Sequence, residues 1–122
     1  MTEMPDLMRL AAGAARHAAA RQAIIAVNVA NADTPGFRAQ DMTPFAPDDA
    51  FALRTTRAGH VSGNSFGAQA FDLRDVPAEP NGNNVDLEDQ VLRGIEASRR
   101  HDRAITIYSS ALDVLRASIG KR

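Results

Sequence analysis

The sequence predicts a mainly α-helical fold, two long terminal helices packed as a coiled-coil-like pair and joined by a long irregular middle with short β-strands. Three observations lead there. Apolar residues recur at helical spacing over residues 5–31 and again over 86–119. Each helical stretch is bounded by strong turn chemistry, Thr34-Pro35-Gly36 after the first and Pro80-Asn81-Gly82-Asn83-Asn84 before the second. Between them, Pro44, Pro47, Pro77 and Pro80 with scattered Gly allow no helical period longer than about two turns. The expected organisation is one domain over 1–122, with an N-terminal helix in 1–33, an irregular middle in 34–85 and a C-terminal helix in 86–122.

The first helix begins near Pro5, acceptable in a first turn, with Asp6 at the positive end of the dipole. Leu7, Ala11, Ala14, Ala18 and Ile25 form one seam, and Met8, Ala12, Ala15, Ala19, Ala26 and Val29 a second beside it. Apolar positions over more than half the circumference imply several neighbours, and the small Ala side chains permit close helix approach. Arg9 and Arg16 mark the remaining polar face. His17 is expected to be a satisfied or solvated histidine, since no second ligand lies at i+4. Near the end, Asn28 and Asn31 share a face. Asn31 suits a C-cap and Asn28 suits bonding to open carbonyls of the last turn, and either carboxamide suits fixing a neighbouring subunit's backbone. Pro35 then disfavours helix at Thr34, and Pro35-Gly36 suits a type II turn with φ > 0 at Gly36.

In the middle, short strands are predicted at residues 51–56 and around 66–73. A connection this long is functional or disordered in most compact proteins; its Phe residues suit packing across adjacent subunits. Asp86 is the expected N-cap of the second helix, which runs to about Ile119 with Glu88 and Asp89 in its first turn. One seam there follows Val91, Ser98, Ile105, Leu112 and Ile119, joined by Gly94, His101, Tyr108 and Leu115. A second follows Ala97, Ala104, Ile107, Ala111 and Val114. The first, with Leu112 and Leu115, is assigned to the chain's own N-terminal helix, and the second, with Ile107 and Val114, to an adjacent subunit. Asp89 with Arg93 and Glu96 with Arg100 stand at i,i+4 spacing for ion pairs.

Composition narrows function. The chain has 122 residues, a net charge of −1 and no Cys, so it offers no strong field for nucleic acid, no disulfide and no thiolate chemistry. All five Phe fall between Phe37 and Phe71, which leaves the helices without large anchors and predicts a marginal, largely unfolded or molten free monomer. No basic, apolar leader or membrane-spanning run is present, and cytosolic residence is the default expectation. Neither a phosphate loop, a dinucleotide fingerprint, a zinc-helix motif nor a nucleophile elbow occurs, and the three His are dispersed. The expectation is a protein that is not an enzyme and needs no cofactor or metal. Arg99, Arg100 and Arg103 alternate with Glu96 and Asp102 and lack aromatics for base stacking, so they read as a solvated face.

The stretch Asn28-x-Ala30-Asn31-x-x-Thr34-Pro35-Gly36-Phe37, about thirty residues in and after an amphipathic helix, resembles the signature of the bacterial flagellar axial proteins, the rod and hook components. The short length and the Gly82-Asn83-Asn84-Val85-Asp86-Leu87-Glu88 lead into the last helix resemble the proximal rod type. Phe37 stands where that family usually has Tyr. The resemblance implies a structural component of the basal-body rod, self-assembling in a helical tube that transmits torque and surrounds the export channel. Its implied partners are copies of itself, other rod proteins, the adapter at the membrane-ring junction and the flagellar type III export apparatus, with neither nucleic acid nor direct membrane insertion. The implied location is the periplasmic rod, reached without a cleaved signal peptide. From another class, the alternative is a free α-helical adaptor or chaperone-like binding module.

Overall fold

The computed structural model describes residues 3–46 and 68–120. Its elements in order are α1 (Glu3–Ala30), β1 (Gln40–Met42), β2 (Ala70–Asp72) and α2 (Leu87–Ile119). At 1.5 Å per residue the helices are about 42 and 50 Å long. They pack on each other antiparallel: Asn28 lies at Gln90, Ile25 at Gly94, and Ala11 and Ala14 share a cleft with Ala104 and Ile107. β1 and β2 form a two-stranded antiparallel ladder, Gln40 opposite Asp72, Asp41 opposite Phe71 and Met42 opposite Ala70.

The helix boundaries follow their caps. Asp86 has extended backbone (φ −100°, ψ 112°), and its carboxylate accepts from Glu88 N–H at 3.0 Å and more weakly from Asp89 N–H at 3.5 Å. α1 ends where Asn31 takes over, its side-chain amide donating to Val27 O at 2.8 Å. Both anticipated i,i+4 pairs are present, Arg93 on Asp89 at 2.7 Å and Arg100 on Glu96 at 2.8 Å. β2 falls within the stretch predicted around 66–73. The strand predicted at 51–56 lies outside the described residues. β1 was not foreseen, because Gln40-Asp41-Met42 carries no strand-like alternation.

The helix interface is built from alanine. Ala97 (0 % exposed), Ala104 and Ala111, seven apart on α2, are buried, and so are Ala11, Ala18 and Ile25 on α1. Ala14 is half-buried and Leu7 exposed. This corrects part of the seam assignment on α2. Ala97, Ala104 and Ala111 of the row assigned to an adjacent subunit are buried, while Val91 (58 % exposed), Ile105 and Ile119 (72 %) of the seam assigned to α1 stand in solvent. Tyr108, Leu112 and Leu115 are half-buried, and Ile107 and Val114 exposed. Residue size misled the assignment: a methyl side chain lets two helix backbones approach more closely than Ile or Val does, so the small row faces the partner. Moving a row by one residue turns it about 100° around the helix.

Ala97→Leu is therefore expected to overpack this contact and destabilise by about 1 to 3 kcal/mol, seen as a lower denaturation midpoint by circular dichroism. Ile119→Ala is expected to stay within about 0.5 kcal/mol of the parent. Equal effects of the two would overturn the alanine interface.

Candidate functional site

After α1 the chain reverses through a tight turn. Phe37 N–H donates to Thr34 O at 3.2 Å, with Pro35 and Gly36 between, and Gly36 has φ +75°. That φ suits the third position of a type II turn. Gly36 N–H in turn donates to Asn81 O at 2.9 Å, joining this turn to the loop that leads into α2. There Gly82 has φ +85°, and a Cβ on it would lie 3.2 Å from Gly36 Cα. Two glycines back to back let the loops before and after the middle segment touch through bare backbone.

Three buried carboxamides then clasp the chain. Asn28 (1 % exposed) reaches the backbone of Gln40 with both ends of its amide: Nδ2 donates to Gln40 O at 2.7 Å, and Oδ1 accepts from Gln40 N–H at 3.0 Å. The same Nδ2 donates to Gln90 Oε1 at 2.9 Å, tying α1, the segment leading into β1 and α2 at one point. Asn83 Nδ2 donates to Asn31 O at 2.9 Å and Thr34 O at 2.8 Å, capping the end of α1 from the other side of the loop. Asn84 Oδ1 accepts from Ala39 N–H at 2.6 Å, while its Nδ2 donates to Leu73 O at 2.7 Å. A carboxamide both donates and accepts without charge, so it can stand in for a missing strand beside extended backbone. Among the described residues no buried side-chain polar atom lacks a partner.

One heptad beyond Ala14, where the α1 seam is interrupted, stands Arg21. Its guanidinium meets Asp41 of β1 with two bonds, Nε to Oδ1 at 2.9 Å and NH2 to Oδ2 at 3.1 Å. Arg93 of α2 donates to the same carboxylate and Arg21 also faces Glu96 at 3.5 Å. Burial pushes the Asp41 carboxyl up, but hydrogen bonds from Arg21, the Met42 N–H and Arg93 outweigh it and hold the group below the ordinary carboxylate value. The bond to Asp41 raises the Arg21 guanidinium against its own desolvation. Further along, His17 Nε2 donates to Thr43 O at 2.7 Å and its ring tilts against Phe45, centroids 5.8 Å apart.

The structure thus gathers Asn28, Asn31, Thr34, Pro35, Gly36 and Phe37 at one end of the helix pair, while Ala30 is exposed there in the last turn of α1. Asn28 bonds its own chain's backbone at Gln40 rather than the open carbonyls of its own helix. The seam residues Leu7 to Ile25 and Val91 to Ile119 run away from this end. Arg21, Asp41, Asn83, Asn84 and Gln90 were not singled out as site residues from sequence. A charged residue in an apolar seam reads as a gap, and paired Asn reads as a turn. Among the described residues no group of three His, Asp or Glu is placed to hold a metal ion, and no helix is long and apolar enough to cross a membrane. The arrangement holds geometry by hydrogen bonds to backbone and presents helix faces for contact.

Two long helices clasped at one end by amides, with the Asn-Thr-Pro-Gly turn between, describe a scaffold subunit, and comparison with known proteins agrees. A family model described as flagella basal body rod protein matches residues 8–38, the span from the second turn of α1 through the turn at Pro35. The chain is 30 % identical over 116 residues to the flagellar basal body rod protein FlgB of Agrobacterium fabrum, covering 86 % of each chain. To FlgB of Salmonella typhimurium it is 32 % identical over 109 residues, covering 77 % of this chain and 78 % of the relative. To FlgB of Escherichia coli it is 27 % identical over 109 residues, with the same coverage. The class is that of the flagellar basal body rod proteins. Within it, the chain belongs to the FlgB family.

Two outcomes are expected at this site. Asn28→Ala strips partners from Gln40 and Gln90 at once, which should cost about 1 to 3 kcal/mol and speed hydrogen exchange at the Gln40 amide; unchanged exchange would show that the clasp bears no strain. Asp41, whose folded value is lowered, stabilises the fold fully above its unfolded value of about 4 and loses that contribution as pH falls through the folded value. Asp41→Asn should therefore flatten the acid limb of a stability-versus-pH curve below about pH 4, and an unaltered limb would dismiss the network as its source.

Proposed function

We propose that the chain is a structural subunit of the proximal rod of the bacterial flagellar basal body. It assembles there with copies of itself and other rod proteins in a helical tube that transmits torque and surrounds the export channel. The observation that carries this reading is the FlgB likeness joined to a helix pair whose large aliphatic residues, Val91, Ile105 and Ile119 among them, are left uncovered by its own fold. Helices with residual apolar faces suit head-to-tail contacts, which extend into open filaments. The clasped turn supports the same role, since torque needs a subunit that does not shear at its bend. In this reading the chain passes the flagellar type III export apparatus without a cleaved signal peptide, reaches the periplasm and meets the adapter at the membrane-ring junction. It carries out no catalytic step.

Antibody against the chain is expected to label the rod of purified basal bodies, and a strain lacking it is expected to be non-motile and rodless. Complete rods in that strain, with the chain held by a soluble partner, would favour the adaptor instead. Gly36→Val imposes a β-branched residue on φ +75°. Nothing lies within 4 Å of a Cβ there, so the cost is backbone strain alone, about 1 to 3 kcal/mol. It should lower rod incorporation while leaving synthesis unchanged.

A further inference from the structure

Two clefts hold apolar side chains that the fold leaves without cover, and their rims carry opposite charge. Along α2, a cleft of about 510 Å³ is lined by Leu92, Ile95, Glu96, Arg99, Arg100 and Arg103. Leu92 is 67 % exposed and Ile95 is exposed beside it. Arg100 is paired with Glu96, whereas Arg99 and Arg103 have no ion-pair partner among the described residues. At the clasped end, a cleft of about 530 Å³ includes Asp33, Val76, Glu79, Val85, Asp86 and Leu87. Leu87 is exposed, and Asp33 and Glu79 have no ion-pair partner among the described residues. From Leu87 to Arg103 is about 24 Å along the helix.

We propose that the Leu92 to Arg103 face of α2 receives the Asp33, Glu79 and Leu87 end of a second copy of the chain. The inference rests on the rod reading and specifies how one subunit meets the next. Charge decides the pairing. A twofold contact of either cleft with itself sets like charges rim to rim, whereas basic rim against acidic rim is complementary and leaves one cleft of each kind free on the outermost copies. The two clefts are offset along the helix, so the contact joins different surfaces of the two copies. The contact is therefore heterologous, the type that extends into a filament when its rotation does not close. Leu92 and Ile95 supply the apolar centre and the arginines the polar rim.

The test is charge exchange. Arg99→Glu with Arg103→Glu in one variant, and Asp33→Lys with Glu79→Lys in another, are each expected to weaken self-association of the purified chain about tenfold by sedimentation, and to lower incorporation into basal bodies. All four substitutions in one chain restore opposite rims and are expected to return association to within about threefold of the parent. Unchanged association in the paired variants, or no recovery in the fourfold variant, overturns the proposal. If the reversals block incorporation in cells but purified copies do not associate in any form, a different rod protein fills the cleft; the second copy is then overturned and the rod reading stands. Absence of the parent chain itself from basal bodies overturns both.

Discussion

The constraint on which this structure depends is the hydrogen bonding of the backbone between Phe37 and Met42. That segment leaves α1, turns back and packs on it with Ala39 and Asp41 buried, and backbone groups that lose water there must find partners inside the protein. β2 supplies some of them along Gln40 to Met42. Others come from Asn28 and Asn84, from Thr34 O, which accepts from the Phe37 N–H, and from the Leu73 N–H, which donates to Ala39 O, while Asn83 closes the end of α1 that the turn leaves open. An amide is the economical choice at such points. A carboxylate would accept but not donate, and an ammonium would donate but not accept, so either would orphan one half of a peptide group.

Given that clasp, the remaining contacts divide by distance from it. Near it, α1, β1 and α2 are held by Arg21, Asp41 and Arg93, a buried ionic cluster whose strength lies in the cost of breaking it rather than in its net contribution. Farther away the helices touch mainly through alanine, where each residue buries little area and stabilisation per turn is correspondingly small. Most large aliphatic residues of α2, Val91, Leu92, Ile105 and Ile119 among them, are exposed. The helix thus folds on one set of side chains and leaves another uncovered.

Much of this was legible in the residues. Both helices, the Asp86 cap, the turn at Pro35-Gly36 and the Asp89 and Glu96 ion pairs follow from local rules, which depend on neighbours within about four residues. What stayed hidden depends on partners distant in sequence. Arg21 looks like a break in a seam until Asp41, twenty residues on, is placed against it. Gln40-Asp41-Met42 has no strand propensity and becomes β1 because Asn28 and β2 offer it a ladder. On α2 the buried row of Ala97, Ala104 and Ala111 lies one residue from the row of larger apolar side chains, because close helix approach depends on the size of the facing residue and not on its hydrophobicity alone. The site was half visible: the Asn-Thr-Pro-Gly stretch announced itself, while Asn83 and Asn84 were hidden inside an ordinary turn signal.

All of the clasping bonds lie at one end of the helix pair. The other end, where α1 begins and α2 finishes, is held by alanine contacts with Leu7 and Ile119 facing water. Such a subunit behaves as a pair of tweezers, pinned at the bend and free at the tips. Opening from the tips costs little per turn and leaves the pinned bend intact, so a partly opened chain keeps its register and recloses by zipping from the pin. A chain pinned at one end has a single place from which its folding restarts.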